Sequence, residues 1–159
     1  MILGDQLKFV PLLNSANIST GSDTDSVNMA GFHSITYLIS FGTVTTDVTV
    51  TVNSGATEGT KTTAVTFNYA SGGAAIGTAA AGSTASCDVL SAWGSSASLS
   101  FTTATNKFLV VEVEASAMDT ANKHNWITMT LAAGTSGIAY VTAVLVARYA
   151  NNRSVTCLK

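Results

Sequence analysis

Residues 30–55 read AGFHSITYLISFGTVTTDVTVTVNSG, and Asp47 is the only Asp, Glu, Lys or Arg among them. From His33 to Phe41, Ile35, Tyr37, Ile39 and Phe41 fall on one face. Ser34, Thr36 and Ser40 fall on the other, interrupted by Leu38. A period of two is the signature of a half-buried strand. Asp47–Asn53 repeats it, with Val48, Val50 and Val52 against Thr49 and Thr51. The joint Gly42–Thr46 has the length of a hairpin loop, so these strands are expected to be antiparallel neighbours. Their polar rows are hydroxyls where a solvent face normally carries Lys and Glu. That raises the question of whether the outside is really outside.

The same alternation continues along the chain. Lys61–Ala70, Cys87–Trp93, Ala97–Thr103, Lys107–Ala115, His124–Ala132 and Ile138–Tyr149 read as strands, separated by turn residues. About eight strands at this spacing predict an all-β, antiparallel, jelly-roll-like β-sandwich. Gln6–Leu13 is a strand-like apolar arm holding the only proline, Pro11, which belongs on an edge or at a strand boundary. Asn14–Asp25 is loop chemistry. The expected division is therefore an arm and loop over 1–25 and a single sandwich domain over 26–159. Ser71–Ser86, uncharged and with no side chain larger than Ile76, reads as a long loop or a low-profile contact surface.

Composition narrows the function. The 159 residues are 10% charged, with a net charge of −2, against roughly 25% charged in ordinary globular proteins. There is no clustered Lys and Arg for nucleic acid and no basic amphipathic segment for a membrane surface. The start, MILGDQLKFVPLLN, lacks a basic leader, and Asp5, Lys8 and Pro11 interrupt its apolar run. Production in a cytoplasm is expected. Cys87 and Cys157 lack metal-ligand spacing and read as packed thiols.

No constellation points to catalysis. Glu112 and Glu114 share one strand face about 7 Å apart, whereas a hydrolase brings its carboxylates from separate elements. Asp23-Thr24-Asp25 lacks the glycine and distal glutamate of a calcium loop. His33 and His124 each open a strand, and serines are too common for a triad to be read from their presence. The expectation is a non-enzyme with no cofactor and no metal. Trp93 reads as a core anchor. Trp126 alternates with Ile127, Met129 and Leu131, so it should point outward beside Thr128 and Thr130. Trp126 and Thr128 are the contact candidates on that face. Ile2, Leu3, Leu7, Phe9, Val10, Leu12 and Leu13 of the arm are the candidates for reaching a neighbour.

Four segments in order carry a resemblance: AGFHSITYLISFGTVTTDVTVTV, NKFLVVEVEASA, HNWITMTL and IAYVTAVLVARY, covering most of Gly31–Tyr149. The chain resembles small virion-associated proteins of tailed bacteriophages and prophages. The resemblance implies a jelly-roll-type sandwich that decorates or cements a capsid, with the insert at Ser71–Ser86 departing from the compact pattern. It implies the major capsid protein as partner, a homo-oligomer in the form of a trimer, and a place on the virion surface. The composition agrees independently: Thr, Ser and Ala lose little side-chain entropy at a contact, and threonine suits strands. A phage tail or fibre-base protein is the first alternative. A carbohydrate-binding sandwich is the second, and an enzyme using Glu112 is the last.

Overall fold

The computed structural model describes residues 7–78, 86–102 and 104–158. Among the described residues, twelve strands form two antiparallel sheets packed face to face as a β-sandwich. They are β1 (Leu7–Asn17), β2 (Ser22–Asp23), β3 (Val27–Asn28), β4 (Phe32–Val44), β5 (Val48–Gly55) and β6 (Thr63–Ala64), then β7 (Phe67–Ser71), β8 (Gly94–Ser96), β9 (Ser98–Phe101), β10 (Phe108–Glu114), β11 (Trp126–Ala132) and β12 (Gly137–Ala147). Short 3-10 turns lie at Ala115–Ala117 and Ala150–Arg153. The first sheet runs β1-β12-β4-β10-β7-β8. The second runs β2-β11-β5-β6, with β3 also on β11 and β9 also on β5. The count exceeds eight because β2, β3, β6 and β8 are fragments of two or three residues at the sheet margins.

The alternation read from the sequence sets the core. Ile35, Tyr37, Ile39 and Phe41 of β4 meet Val48, Val50 and Val52 of β5 in one buried cluster. β10, β11 and β12 add Leu109, Val111, Ile127, Met129, Val141 and Leu145 to it.

The expected β4–β5 hairpin does not form. β4 pairs with β12 and β10, and β5 pairs with β11 in the opposite sheet. The alternation specifies which face of each strand is apolar, and two strands facing each other across a core satisfy that as fully as two side by side. Hydroxyl groups hold the crossing that replaces the hairpin. Thr46 Oγ1 donates to the Ala133 carbonyl, Thr105 Oγ1 donates to the Val44 carbonyl, and Thr45 Oγ1 lies 2.6 Å from Thr135 Oγ1. The turn between β11 and β12 changes sheets beside it.

Two other expected strands divide or vanish. Lys61–Ala70 splits into β6 in one sheet and β7 in the other. Cys87–Trp93 makes only an isolated bridge, Leu90 to Gly72, and the pairing begins at Gly94. Within the expected loop at Ser71–Ser86, residues 79–85 lie outside the described set.

Residues 7–25, set apart above as an arm and loop, contribute β1 to one sheet and β2 to the other. β1 is an edge strand paired with β12 from Leu7↔Val146 to Asn17↔Ile138. Its register shifts between Pro11 and Leu13, where proline offers no N–H to a ladder.

Candidate interaction surface

The first sheet has a core face and an outer face, and the outer one departs from the usual polar cover. Cross-strand register places Phe9, Val144, Thr36 and Glu112 in one row. Leu7, Val146, Ser34 and Glu114 form the next, and Pro11, Thr142, Leu38 and Val110 another. Tyr140, Ser40 and Phe108 lie beyond. The antiparallel strands of a one-sided sheet ordinarily alternate apolar-in and polar-out. Here Phe9 is 50% exposed, and Ile138, Tyr140 and Val146 are also exposed. Small hydroxyl residues of β4 lie alongside these apolar groups, on the other side of β12 from β1. The face is thus apolar toward β1 and β12, hydroxyl-lined along β4 and acidic at the end of β10.

Its rim is charged. Glu112 and Glu114 are exposed, with the Thr36 hydroxyl donating weakly to Glu112 Oε1 at 3.5 Å. At the far end of β12, Arg148 and Arg153 line a depression with Val146 and Tyr149. Each guanidinium is fixed by its Nε, Arg148 on the Phe32 carbonyl at 2.9 Å and Arg153 on the Ala150 carbonyl at 3.1 Å. None of these four charges makes an ion pair among the described residues.

The contact candidates from the sequence are divided by the fold. Ile2 and Leu3 lie outside the described residues. Phe9 is on the outer face, and Leu7 and Leu13 are half-buried. Val10 and Leu12 are buried in the protein's own core, because β1 is a paired strand whose inward positions complete the sandwich. Those two are corrected from neighbour-reaching to core residues. Trp126 points away from Ile127 and Met129, as the alternation requires, yet it is only half-exposed. It sits beside its cross-strand partner Asn28, in a cleft of about 320 Å³ completed by Gly31, Asn152 and the segment Val155–Leu158. Thr128 is buried, its hydroxyl 2.7 Å from Ser26 Oγ, so it is corrected to a structural residue. The chain following β2 covers this part of the sheet. Trp93, read as a core anchor, is 50% exposed, since its segment forms no strand.

The remaining polar candidates are held structurally. Asp23 accepts from Lys61 Nζ at 2.7 Å and from Thr130 Oγ1 at 2.6 Å. Burial pushes its carboxyl up, but these bonds and the lysine charge outweigh burial and hold it below the usual range. His124 is buried, with Nδ1 3.0 Å from Ser54 Oγ and Nε2 3.4 Å from Thr62 Oγ1. Ser54 is fully buried, so no substrate reaches its oxygen. The nearby Asp119 carboxylate bonds Asn122 and Thr63 rather than the imidazole. The bonds from Asn122 hold its carboxyl below the usual range. The Ser–His contact was invisible in the sequence, because it depends on β5 and the start of β11 being neighbours. Cys157 is buried and burial pushes its thiol up. Both cysteines are free.

No helix of the described residues is long and apolar enough to cross a membrane. No family model and no curated protein matches the chain. Among solved structures, the fold is similar to that of the SPBc2 prophage-derived protein YomS, with a TM-score of 0.52 and 13% identity. The match covers 89% of this chain and 93% of that one. Two proteins sharing so little sequence share a fold across nearly their whole lengths.

Proposed function

We propose that the chain is a structural protein of a bacteriophage particle, and within that class a capsid decoration protein. The observation that carries the reading is the outer face of the first sheet, with apolar residues and short hydroxyls where a free domain carries Lys and Glu. Contacting surfaces of this kind lose little side-chain entropy and little charge solvation when covered. The fold likeness to a prophage-derived protein supports the phage setting.

In this reading the protein acts mechanically. It binds the outside of a shell through the major capsid protein, bridges neighbouring subunits and adds buried area. Each copy contributes a few kcal/mol, and many copies act together. The test is gold-labelled antibody on purified particles, viewed by electron microscopy, with mass spectrometry of the same particles. Label spread over heads supports decoration. Label confined to tails moves the protein to a tail or fibre-base role. Absence from the particles overturns the proposal.

One further observation favours the carbohydrate-binding alternative. Trp126 and Asn28 stand side by side at a cleft that Asn152 also lines. An aromatic face beside amide groups matches the C–H faces and hydroxyls of a sugar. A glycan array with no hits disposes of that alternative.

A further inference from the structure

We infer that the Trp126 cleft takes one N-acetylated amino-sugar residue, with Asn28 donating to the acetamido carbonyl and Asn152 accepting from the acetamido N–H. The inference rests on the carbohydrate reading above and names the sugar class that the cleft selects. Two amide side chains line the cleft with Trp126, and the fold fixes which end of each is free. The Ala30 N–H donates to Asn28 Oδ1 at 3.0 Å. The Asn28 NH2 group has no partner among the described residues and stays open to solvent. Asn152 is held the opposite way round. Its Nδ2 donates to the Gly31 carbonyl at 2.7 Å, which leaves Oδ1 without a partner among the described residues and also open to solvent. A Cβ at residue 31 would lie 2.7 Å from Asn152 Nδ2, so glycine is what lets this amide seat against the backbone.

The cleft therefore presents one fixed donor and one fixed acceptor beside an indole. An acetamido group carries the complement, one carbonyl acceptor and one N–H donor. A hydroxyl serves as donor or acceptor alike, so a plain hexose gains nothing from a polarised pair. The Thr156 hydroxyl is engaged with Leu158, which leaves the side-chain hydrogen bonding to the two amides and the indole N–H. Half-exposed Trp126 offers an apolar surface to the C–H groups of a pyranose ring. Buried Phe32 and Cys157 extend the apolar lining. No charged side chain of the described residues lines the cleft, which favours a neutral ring over an acidic sugar.

Size sets the expected strength. The volume of about 320 Å³ lies at the small end of ligand pockets, which span roughly 300–1,000 Å³. There is room for one ring and not for an extended chain. A ligand of about 15 non-hydrogen atoms held by so few contacts belongs to the millimolar class.

The experiment is an NMR titration of the ¹⁵N-labelled full chain, with Trp93→Phe used to assign the two indole signals. The probes are the methyl glycosides of N-acetylglucosamine and N-acetylgalactosamine, each beside its plain hexose, to about 50 mM. At least one N-acetylated glycoside is expected to shift the Trp126 indole and the Asn28 and Asn152 amide signals, saturating within about 1–10 mM. Its plain hexose should bind at least about tenfold more weakly, because it leaves the fixed pair unmet. Asn28→Asp keeps the acceptor for Ala30 and replaces the free NH2 by an oxygen at nearly constant shape. It should weaken binding at least about tenfold, and Trp126→Ala should abolish it. Circular dichroism checks both variants, and Asn28→Asp alone decides if Trp126→Ala misfolds. Equal binding of the plain hexose, unchanged binding by Asn28→Asp, or shifts confined to other parts of the chain overturn the inference. So does N-methylacetamide binding as tightly as the glycoside, since the cleft would then read an acetamide on any carrier. Absence of shifts with both N-acetylated glycosides overturns it too, and the glycan array then separates two cases. Hits among other sugars leave the carbohydrate reading standing, whereas an empty array removes both.

Discussion

Ser54 Oγ and His124 Nδ1 lie 3.0 Å apart at the end of the second sheet, where both side chains are buried. The pair joins the end of β5 to the residues leading into β11. A buried hydroxyl that loses its partner bears a desolvation penalty.

His124→Ala is expected to cost about 2–3 kcal/mol, combining the orphaned Ser54 hydroxyl with lost packing. Ser54→Ala should cost about 1 kcal/mol, because the imidazole retains Thr62. The double variant should cost less than the sum of the singles, as expected of contacting residues. Urea denaturation of the four proteins measures the coupling. Strict additivity would separate the two side chains energetically.

Tyr37 is fully buried, and its hydroxyl has no hydrogen-bond partner among the described residues. Burial pushes its ionisation far above the usual phenol value. Removing an unpaired buried hydroxyl removes its desolvation cost while leaving the ring in place. Tyr37→Phe should stabilise the protein by about 1 kcal/mol, or about 2–4 °C in Tm for a domain of this size. A loss of stability in calorimetry would mean that the hydroxyl is satisfied in solution.

Asp23 and Lys61 make an ion pair at 2.7 Å, with both side chains partly exposed. The folded protein holds the Asp23 carboxyl below its ordinary value. The stabilisation is thus present above the unfolded value of about 3.9 and lost as pH falls through the folded one. Solvent screening keeps it near 0.5 kcal/mol. Asp23→Asn should lower Tm by about 1–2 °C at neutral pH and have no effect once both carboxyl forms are protonated. Thermal melts across this pH range read the difference directly.

Deletion of residues 1–13 should disrupt the fold, rather than merely release a detachable arm. It removes the core side chains Val10 and Leu12, each worth about 1.5–3 kcal/mol on burial, together with the β1–β12 ladder from Leu7 to Leu13. That loss is comparable with a total stability of about 5–15 kcal/mol. The truncated chain is expected to melt far below wild type or to fail to fold. A truncated protein with an unchanged melt would return β1 to the status of an appendage.

The sequence was legible where local period sufficed and illegible where partner choice mattered. The inward rows Ile35–Phe41 and Val48–Val52 are correct side chain by side chain, because period-two alternation reports a strand's own faces. The same pattern could not tell a hairpin from a crossing, since Val48 is inward-facing in either. Lys61–Ala70 failed for a related reason: the chain changes sheets around Val65, whose N–H still bonds the Val52 carbonyl before Phe67 joins β10's side. At the candidate surface, the hydroxyl row on β4 was visible. The apolar flank from β1 was not, because Phe9 and Val144 are neighbours only through a pairing between opposite ends of the chain.

That β1–β12 pairing also governs the order in which the molecule can be made. A ribosome delivers β1 and β4 long before β12, the strand that lies between them in the finished sheet. Until then β1 waits unpartnered and β4, which β10 reaches first, keeps one edge open to wrong pairings with other nascent chains. Contacts so distant in sequence make folding slow. The protein's most vulnerable moment therefore falls during synthesis, and its yield should respond to chaperone supply and growth temperature.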